Sequence, residues 1–211
     1  MKIRIQTLAL AALILALAGC ASTSVKHTWK SPDYQAGPVR KVAVLAVDER
    51  GDVRAALEGR FVRELRQRNQ DALTTVELLG LPEIKGDKDA AAARLVAAGA
   101  DTVLIVRMVD QASYGGQVAF LPALYTPGVY GYGAFGWHDY FSGAYASMTV
   151  VSSSFNQVIY LDTSLFDLKT GQRLGAVLTS TTLKENADAL VVADALAAKI
   201  VNALNKNGLV R

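Results

Sequence analysis

Two short runs of apolar, valine-rich residues constrain the fold of this chain more than any other feature. They are KVAVLAV at residues 41–47 and TVLIVRMV at residues 102–109. A continuous apolar run of this length is typical of a strand buried on both faces, because a strand with one face in water alternates apolar and polar residues. The two runs therefore predict central strands of a sheet.

The residues between these runs show helical and extended patterns in turn. Asp52 is placed to cap a helix in which apolar residues recur every four positions. These residues are Val53, Leu57, Phe61 and Leu65. Residues 74–79 predict a second strand, and a further helix starts at Asp87 or Asp89 and ends at Gly99. The order β-α-β-α-β predicts a sheet with parallel members that are joined by crossovers.

The second half of the chain shows the pattern of antiparallel strands instead of alternating strands and helices. Residues 156–168 alternate, with Ile159 and Leu161 on one face and Tyr160 and Asp162 on the other. A turn at residues 169–171 and a return strand over residues 173–183 predict an antiparallel hairpin.

A final helix over residues 186–205, stopped by Asn207 and Gly208, completes the prediction. The fold class is thus α/β with an α+β tendency. It comprises a mixed sheet of about five strands, three main helices and a single domain over residues 41–211.

The N-terminus reads as a signal for export. Lys2 and Arg4 precede an apolar run of about eleven residues, which is too short for a permanent transmembrane helix. The following L-A-G-C resembles the bacterial lipobox, in which the cysteine receives lipid before cleavage. Residues 1–19 are therefore predicted to be a signal peptide, and Cys20 the lipidated first residue of the mature protein. Ala21 favours the outer membrane, because the inner-membrane retention signal places Asp there.

Residues 20–40 lack periodicity and contain Ser, Thr and Pro, which predicts a lipidated tether, with Trp29, Pro32 and Tyr34 as residues that could dock on the domain edge. The signal removes two of the 22 basic residues, so they barely exceed the 19 acidic ones in the mature chain. This near neutrality, without a basic patch, gives no indication of a nucleic-acid partner.

No catalytic, cofactor or metal site is predicted. Gly131, Gly133 and Gly136 spell G-x-G-x-x-G, but no strand precedes them and no helix follows, as a dinucleotide site requires. His27 and His138 are the two histidines, and Cys20 is the single cysteine and is assigned to lipid. Zinc needs three or four ligands, and no spacing identifies a nucleophile with its base. The prediction is a protein that is not an enzyme.

One acidic cluster keeps an alternative open. Asp48, Glu49 and Asp52 follow the first predicted strand, at the edge where open α/β sheets bind ligands. The same residues also suit a turn and a helix start. A small-ligand or enzymatic crevice over residues 48–52 is therefore the alternative to a purely binding role.

The most unusual composition lies in an insertion at about residues 113–150. No Lys, Arg or Glu occurs between Arg107 and Lys169, whereas aromatic residues crowd this stretch. Rings with polar tips and few charges are typical of interface cores and membrane boundaries. Six aromatic residues are the candidates for binding: Tyr130, Tyr132, Phe135, Trp137, Tyr140 and Phe141.

Three interpretations of the insertion stay open. It is a glycine- and tyrosine-rich loop that packs partly on its own domain, an adhesive surface for another protein, or a hairpin that enters the bilayer. Pro122 and Pro127 count against the last interpretation, because they interrupt the first arm of such a hairpin.

Several segments resemble a group of uncharacterised bacterial lipoproteins with a domain of unknown function. Those proteins are similar to the curli secretion lipoprotein and to the N-terminal domain of the Tol propeller protein. The matching segments are TWKSPDY at 28–34, VRKVAVLAV at 39–47, VRAALEGRFVREL at 53–65, AGADTVLIVRMVD at 98–110 and LDTSLFDLKTGQRL at 161–174. The chain departs from the group at Gly175 and Ala176, where those proteins often carry Trp after the hairpin turn.

The resemblance implies an α/β domain but no activity. Together these features predict a lipoprotein anchored by lipid on the periplasmic face of the outer membrane. It would bind a second copy of itself or another envelope protein through the insertion. A subunit of an envelope secretion pore is a further alternative.

Overall fold

The computed structural model describes residues 22–109, 137, 140, 158–182 and 189–211. Its strands are β1 Ser22–Lys30, β2 Lys41–Val47, β3 Asp71–Thr74, β4 Thr102–Val109, β5 Val158–Asp167 and β6 Arg173–Thr182. Its helices are α1 Gly51–Gln67, α2 Leu81–Gly86, α3 Lys88–Ala97 and α4 Ala189–Lys206. Within these residues no helix is both long and apolar enough to span a bilayer.

The strands form one mixed sheet in the order β1-β6-β5-β4-β2-β3. Strand β2 pairs in parallel with β3 and with β4, as the crossover pattern predicts. Strands β4, β5, β6 and β1 pair antiparallel in succession. The predicted α/β class, with its parallel half, its hairpin and its C-terminal helix, is confirmed.

The sheet has six strands rather than about five, because part of the predicted tether is a strand. Residues 22–30 form β1, which pairs with β6 from Ser22 opposite Thr182 to Lys30 opposite Gly175. The prediction of an irregular tether over residues 20–40 is therefore wrong for this stretch. The domain edge extends almost to Cys20, which itself lies outside the described residues.

Two element boundaries also differ from the prediction. Residues 75–79 form a turn rather than a strand, and β3 is the preceding four residues. Helix α1 starts at Gly51 with Arg50 at its N-cap, so Asp52 lies in the first turn and is not the cap. The boundaries set by clear local signals are confirmed.

Those confirmed boundaries follow from single residues with a definite backbone role. Asp87 caps α3 by accepting hydrogen bonds from two backbone N–H groups, those of Asp89 and Ala90. Gly99 and Gly171 have φ angles of +86° and +74°, in the left-handed region that favours glycine. They end α3 and form the β5–β6 turn, respectively.

Helices and loops cover both faces of the sheet, as the continuous apolar strands predict. On one face, Val42, Val44 and Ala46 pack with buried residues of α1 and α4. On the other face, Ala43, Leu45 and Val47 pack with buried residues of α2, α3 and the insertion. All six of these β2 side chains are buried, so β2 is a central strand.

Both outer strands carry features that discourage pairing with a further strand. Strand β3 is four residues long, and the Arg66 Nε and Nη2 donate to the outward Ala72 carbonyl at 3.1 and 2.7 Å. Strand β1 has an irregularity between Val25 and His27, with Lys26 exposed at that point. Short strands, bulges and charged residues protect sheet edges from edge-to-edge association.

Candidate functional site

A cluster of charged side chains lies on the same face of the sheet as α2 and α3, on strands β4, β5 and β6. The strand register places Arg107 of β4 opposite Asp162 of β5, and Phe166 of β5 opposite Arg173 of β6. Asp162 is buried and bridges both arginines, with Arg107 Nη2 at 3.0 Å and Arg173 Nη2 at 3.4 Å. Arg173 also donates to the Ser164 hydroxyl. We call this set the arginine cluster.

Two aromatic residues of the insertion lie on this face. The Tyr140 ring centroid is 4.4 Å from the Cζ of Arg107 and 5.3 Å from that of Arg173. It is also 5.2 Å from the Phe166 ring, tilted by 49°. Trp137 is 5% exposed and belongs to the same apolar layer. The insertion therefore packs partly on its own domain, through these two rings.

Aromatic rings lie over the guanidinium groups of the cluster. The two guanidinium groups share the Asp162 carboxylate. The Tyr140 face lies over both guanidinium groups, and Trp29 of β1 lies 5.9 Å from Arg173. Each such cation–π contact contributes about 0.5–2 kcal/mol, more as water is excluded. The rings thus contribute to holding both guanidinium groups in place.

Burial has a second consequence at Tyr140. It raises the pKa of this phenol far above its usual range, and the guanidinium groups of Arg107 and Arg173 offset part of that rise. The phenol is therefore neutral throughout the physiological pH range. A neutral phenol over two arginines suits a contact that holds the insertion in place rather than one that transfers protons.

A second buried charge cluster fixes the turn after β3. The Glu58 carboxylate of α1 is fully buried and accepts from Arg54 Nε at 2.8 Å, Thr75 N at 2.7 Å and Val76 N at 2.8 Å. The same arginine donates to the Leu79 carbonyl at 2.9 Å. Because its acceptors and donors are satisfied within the domain, this cluster is a structural clamp.

Sequence reasoning missed both charged clusters. Arg54 and Glu58 have the i, i+4 spacing of a helical ion pair, and this was the one signal available for them. Arg107, Asp162 and Arg173 belong to three different strands, so their juxtaposition follows from strand register alone. The alternation along β5 did place Asp162 on the face opposite Leu161, and that is confirmed.

The acidic residues after β2 do not converge on a shared site. The Asp48 carboxylate accepts from the Arg50 backbone N at 2.9 Å and from its side chain at 3.0 and 2.9 Å. This bond raises the pKa of the Arg50 guanidinium. Glu49 and Asp52 are exposed. Within the described part of the chain, no three His, Cys, Asp or Glu residues are grouped to hold a metal.

A shallow, open cleft of about 790 Å³ lies beside β3. Its walls combine apolar side chains such as Val62, Leu73 and Leu78 with polar ones such as Glu77 and Gln67. These residues come from separate segments, and no charged residue among them is buried. The cleft is therefore a weaker candidate than the arginine cluster.

The structure locates some of the residues that the sequence singled out. Trp137 and Tyr140 lie at the arginine cluster, and Tyr34 packs on the core with its hydroxyl donating to the Gly37 carbonyl at 2.6 Å. The remaining predicted site residues fall outside the described residues: Cys20, Tyr130, Tyr132, Phe135 and Phe141.

No protein-family model matches the chain, and no curated protein matches it either. Solved structures with a similar arrangement include PelC from Paraburkholderia phytofirmans, a dodecamer, at 13% identity and a TM-score of 0.48 over 90% of this chain and 100% of that one. A single-substitution variant of the same PelC dodecamer gives 12% identity and a TM-score of 0.46 over 87% of this chain and 97% of that one.

A third similar structure is a PDZ domain protein from Parabacteroides distasonis, at 13% identity and a TM-score of 0.45, covering 95% of this chain and 40% of that one. At these identities and TM-scores no functional residue is carried over from either protein. The resemblance to the lipoprotein group described above stays a prediction.

Proposed function

We propose that this chain is an outer-membrane lipoprotein, held by lipid on Cys20 at the periplasmic face, that acts as a non-enzymatic binding or assembly component of the envelope. The observation that carries the proposal is the L-A-G-C box at the end of an export signal. The described domain starts at Ser22, directly after it. A folded domain that begins two residues after the lipidated cysteine suits a protein held close to its membrane.

The partners of the carboxylate side chains support a structural role for these groups rather than a catalytic one. Asp162 bridges two arginines, Glu58 is saturated by the turn after β3, and Asp48 is bound by Arg50. Each of these carboxylates has a partner that accounts for its place in the fold. The ring-bearing insertion is therefore the better candidate for the function than any of these carboxylates.

We assign the binding role to the rings of the insertion that precede Trp137 in the chain. Trp137 and Tyr140 contact the sheet face and fix that part of the insertion to the domain. Tyr130, Tyr132 and Phe135 precede them by a few residues in a stretch without Lys, Arg or Glu. Such a surface suits another envelope protein or a second copy of this chain. Because both sheet edges are protected, we expect side-chain packing rather than strand addition.

Metabolic labelling with palmitate tests the anchor. The native protein should incorporate label and fractionate with outer membranes, whereas Cys20→Ser should lose both properties because no other thiol can accept the lipid. Ser22→Ala, two residues away, is the matched control and should retain the label. Equal labelling of the native and Cys20→Ser proteins would exclude the anchor.

Cross-linking in intact cells tests the binding surface. The variant that replaces Tyr130, Tyr132, Phe135 and Phe141 by Ser should lose the cross-linked species of higher mass that the native protein forms. A variant with Tyr114 and Tyr125 replaced by Ser serves as the control from the same insertion. If the native protein forms no such species, or the first variant keeps all of them, the assembly role is wrong.

A further inference from the structure

The strand register brings several chain positions to one end of the sheet. Ser22, the first residue of β1, pairs with Thr182, the last residue of β6, and Thr182 pairs with Val158, the first residue of β5. Val109, the last residue of β4, pairs with Tyr160 near the start of β5. The start of β1 and both points where the insertion leaves the sheet therefore share one end.

The opposite end of the sheet lies far from this one. It carries the β5–β6 turn at Lys169, Thr170 and Gly171, together with the end of β1 at Lys30. Strand β6 runs from Arg173 to Thr182, which corresponds to about 30 Å at 3.3 Å per residue. A probe that senses the distance between a labelled residue and the lipid headgroups can therefore distinguish the two ends.

Chain length decides which end can meet a membrane anchored at Cys20. Two peptide links join Cys20 to Ser22, so their Cα atoms lie within about 7 Å of each other. A tether this short cannot let the far end of the sheet meet the lipid while the start of β1 faces away from it, because the span of β6 is several times longer. The start of β1 must stay close to the lipid layer.

The side chains at the Ser22 end of the sheet also suit a position close to the membrane. Along β1 and β6, the end at Ser22 carries hydroxyl side chains that bond to one another, Thr23 to Thr181 at 2.9 Å and Ser24 to Ser180 at 3.1 Å. Residues 22–25 and 178–182 include no ionisable side chain. Uncharged hydroxyls lose far less free energy than ions when water is removed from them. This end therefore suits close approach to phospholipid headgroups.

We infer that the domain stands on the membrane with the Ser22–Thr182 end of its sheet against the phospholipid headgroups and the turn at Gly171 directed away from them. The inference rests on the proposed lipid anchor at Cys20. It also places both attachment points of the aromatic insertion, Val109 and Val158, on the membrane side of the domain. The Ser22–Thr182 end would therefore contact the same lipid layer that holds the anchor.

Headgroup quenching of two single-cysteine labels tests the orientation. Lipidated Thr182→Cys and Lys169→Cys proteins carry an environment-sensitive maleimide dye at an exposed position, since lipid occupies the Cys20 thiol. They are reconstituted into phosphatidylethanolamine and phosphatidylglycerol vesicles that contain a lipid with a nitroxide headgroup. The label at residue 182 should lose severalfold more fluorescence than the label at residue 169.

The outcomes separate the orientation from the anchor. If both proteins float with the vesicles and the two labels are quenched equally, the orientation is wrong while the anchor stands. If neither protein floats, the anchor fails and the orientation fails with it. A control with ten Gly and Ser residues inserted between Ala21 and Ser22 should abolish the contrast between the labels. A contrast that survives the insertion would contradict the short tether as its cause.

Discussion

Replacing Asp162 by Asn removes the one carboxylate of the arginine cluster and leaves the backbone untouched. The native side chain accepts from Arg107 Nη2 at 3.0 Å, from Arg107 Nε at 3.4 Å and from Arg173 Nη2 at 3.4 Å. Asparagine keeps one acceptor oxygen and turns an NH₂ group towards one of the guanidinium groups. The two arginines then lose the carboxylate that bridges them.

The expected cost follows from the number and burial of these contacts. Hydrogen bonds to charged groups contribute about 1.5–3 kcal/mol each, and breaking a deeply buried ion pair costs about 3–5 kcal/mol. Since Arg107 is partly exposed, we expect Asp162→Asn to lower the free energy of unfolding by about 2–3 kcal/mol, or roughly 30- to 150-fold in the folded-to-unfolded ratio. Because the cluster is buried, added salt should change this loss little.

Urea unfolding followed by circular dichroism measures the loss, with Asp71→Asn as the matched control. Asp71 also pairs with a cation, Lys41 at 3.8 Å, but it is 63% exposed, so its replacement should cost less than about 1 kcal/mol. The two substitutions make the same chemical change at a buried and at an exposed ion pair. If Asp162→Asn costs no more than Asp71→Asn, Asp162 does not hold the cluster together.

Three further predictions concern other parts of the domain. Glu58→Ala should cost about 3–5 kcal/mol in the same assay, because Arg54 and three backbone N–H groups, those of Ala46, Thr75 and Val76, would lose a buried acceptor; Glu58→Gln should cost less. Gly175→Ala should cost about 1–3 kcal/mol, because its Cβ would lie 2.2 Å from the Leu209 Cδ1, and Leu209→Ala should relieve part of that cost. As the pH rises past about 10 the unfolded chain releases the Tyr140 proton while the folded chain keeps it, so stability falls. Tyr140→Phe should therefore lose less stability than the native protein between about pH 9 and pH 11.

The elements of the fold that could be predicted are those marked by a signal within their own short segment of sequence. The apolar run of β2, the Asp87 cap and the glycine at position 171 each mark an element by themselves, and all three are confirmed. Strand β1 carries no such signal, because STSVKHTWK has neither an apolar run nor a regular alternation. It is extended because β6 provides a partner for it, and that partner lies more than a hundred residues away in the chain.

The space around Gly175 explains why this position holds glycine rather than a residue with a side chain. The lipoproteins that the sequence resembles often carry Trp just after the hairpin turn, where this chain has Gly175 and Ala176. A side chain at 175 would meet the Leu209 side chain and would lie 3.0 Å from the Trp29 carbonyl oxygen. Trp29 itself pairs with Ala176 and lies near Arg173. An indole is thus present beside β6, but it belongs to Trp29 of β1. Glycine at position 175 leaves room for the Trp29 backbone.

The arginine cluster shows where prediction from one sequence has to stop. The alternation of β5 assigns Asp162 to a face, and it does so correctly, but it says nothing about which residues lie beside it. Its neighbours are set by register across five strands, in which Val47, Arg107, Asp162, Leu178 and His27 form one row. A shift of one residue in the β4–β5 or the β5–β6 pairing would turn a guanidinium away from the Asp162 carboxylate and break that ion pair. The ion pairs and the register therefore depend on each other, which is why neither can be derived from the separate segments.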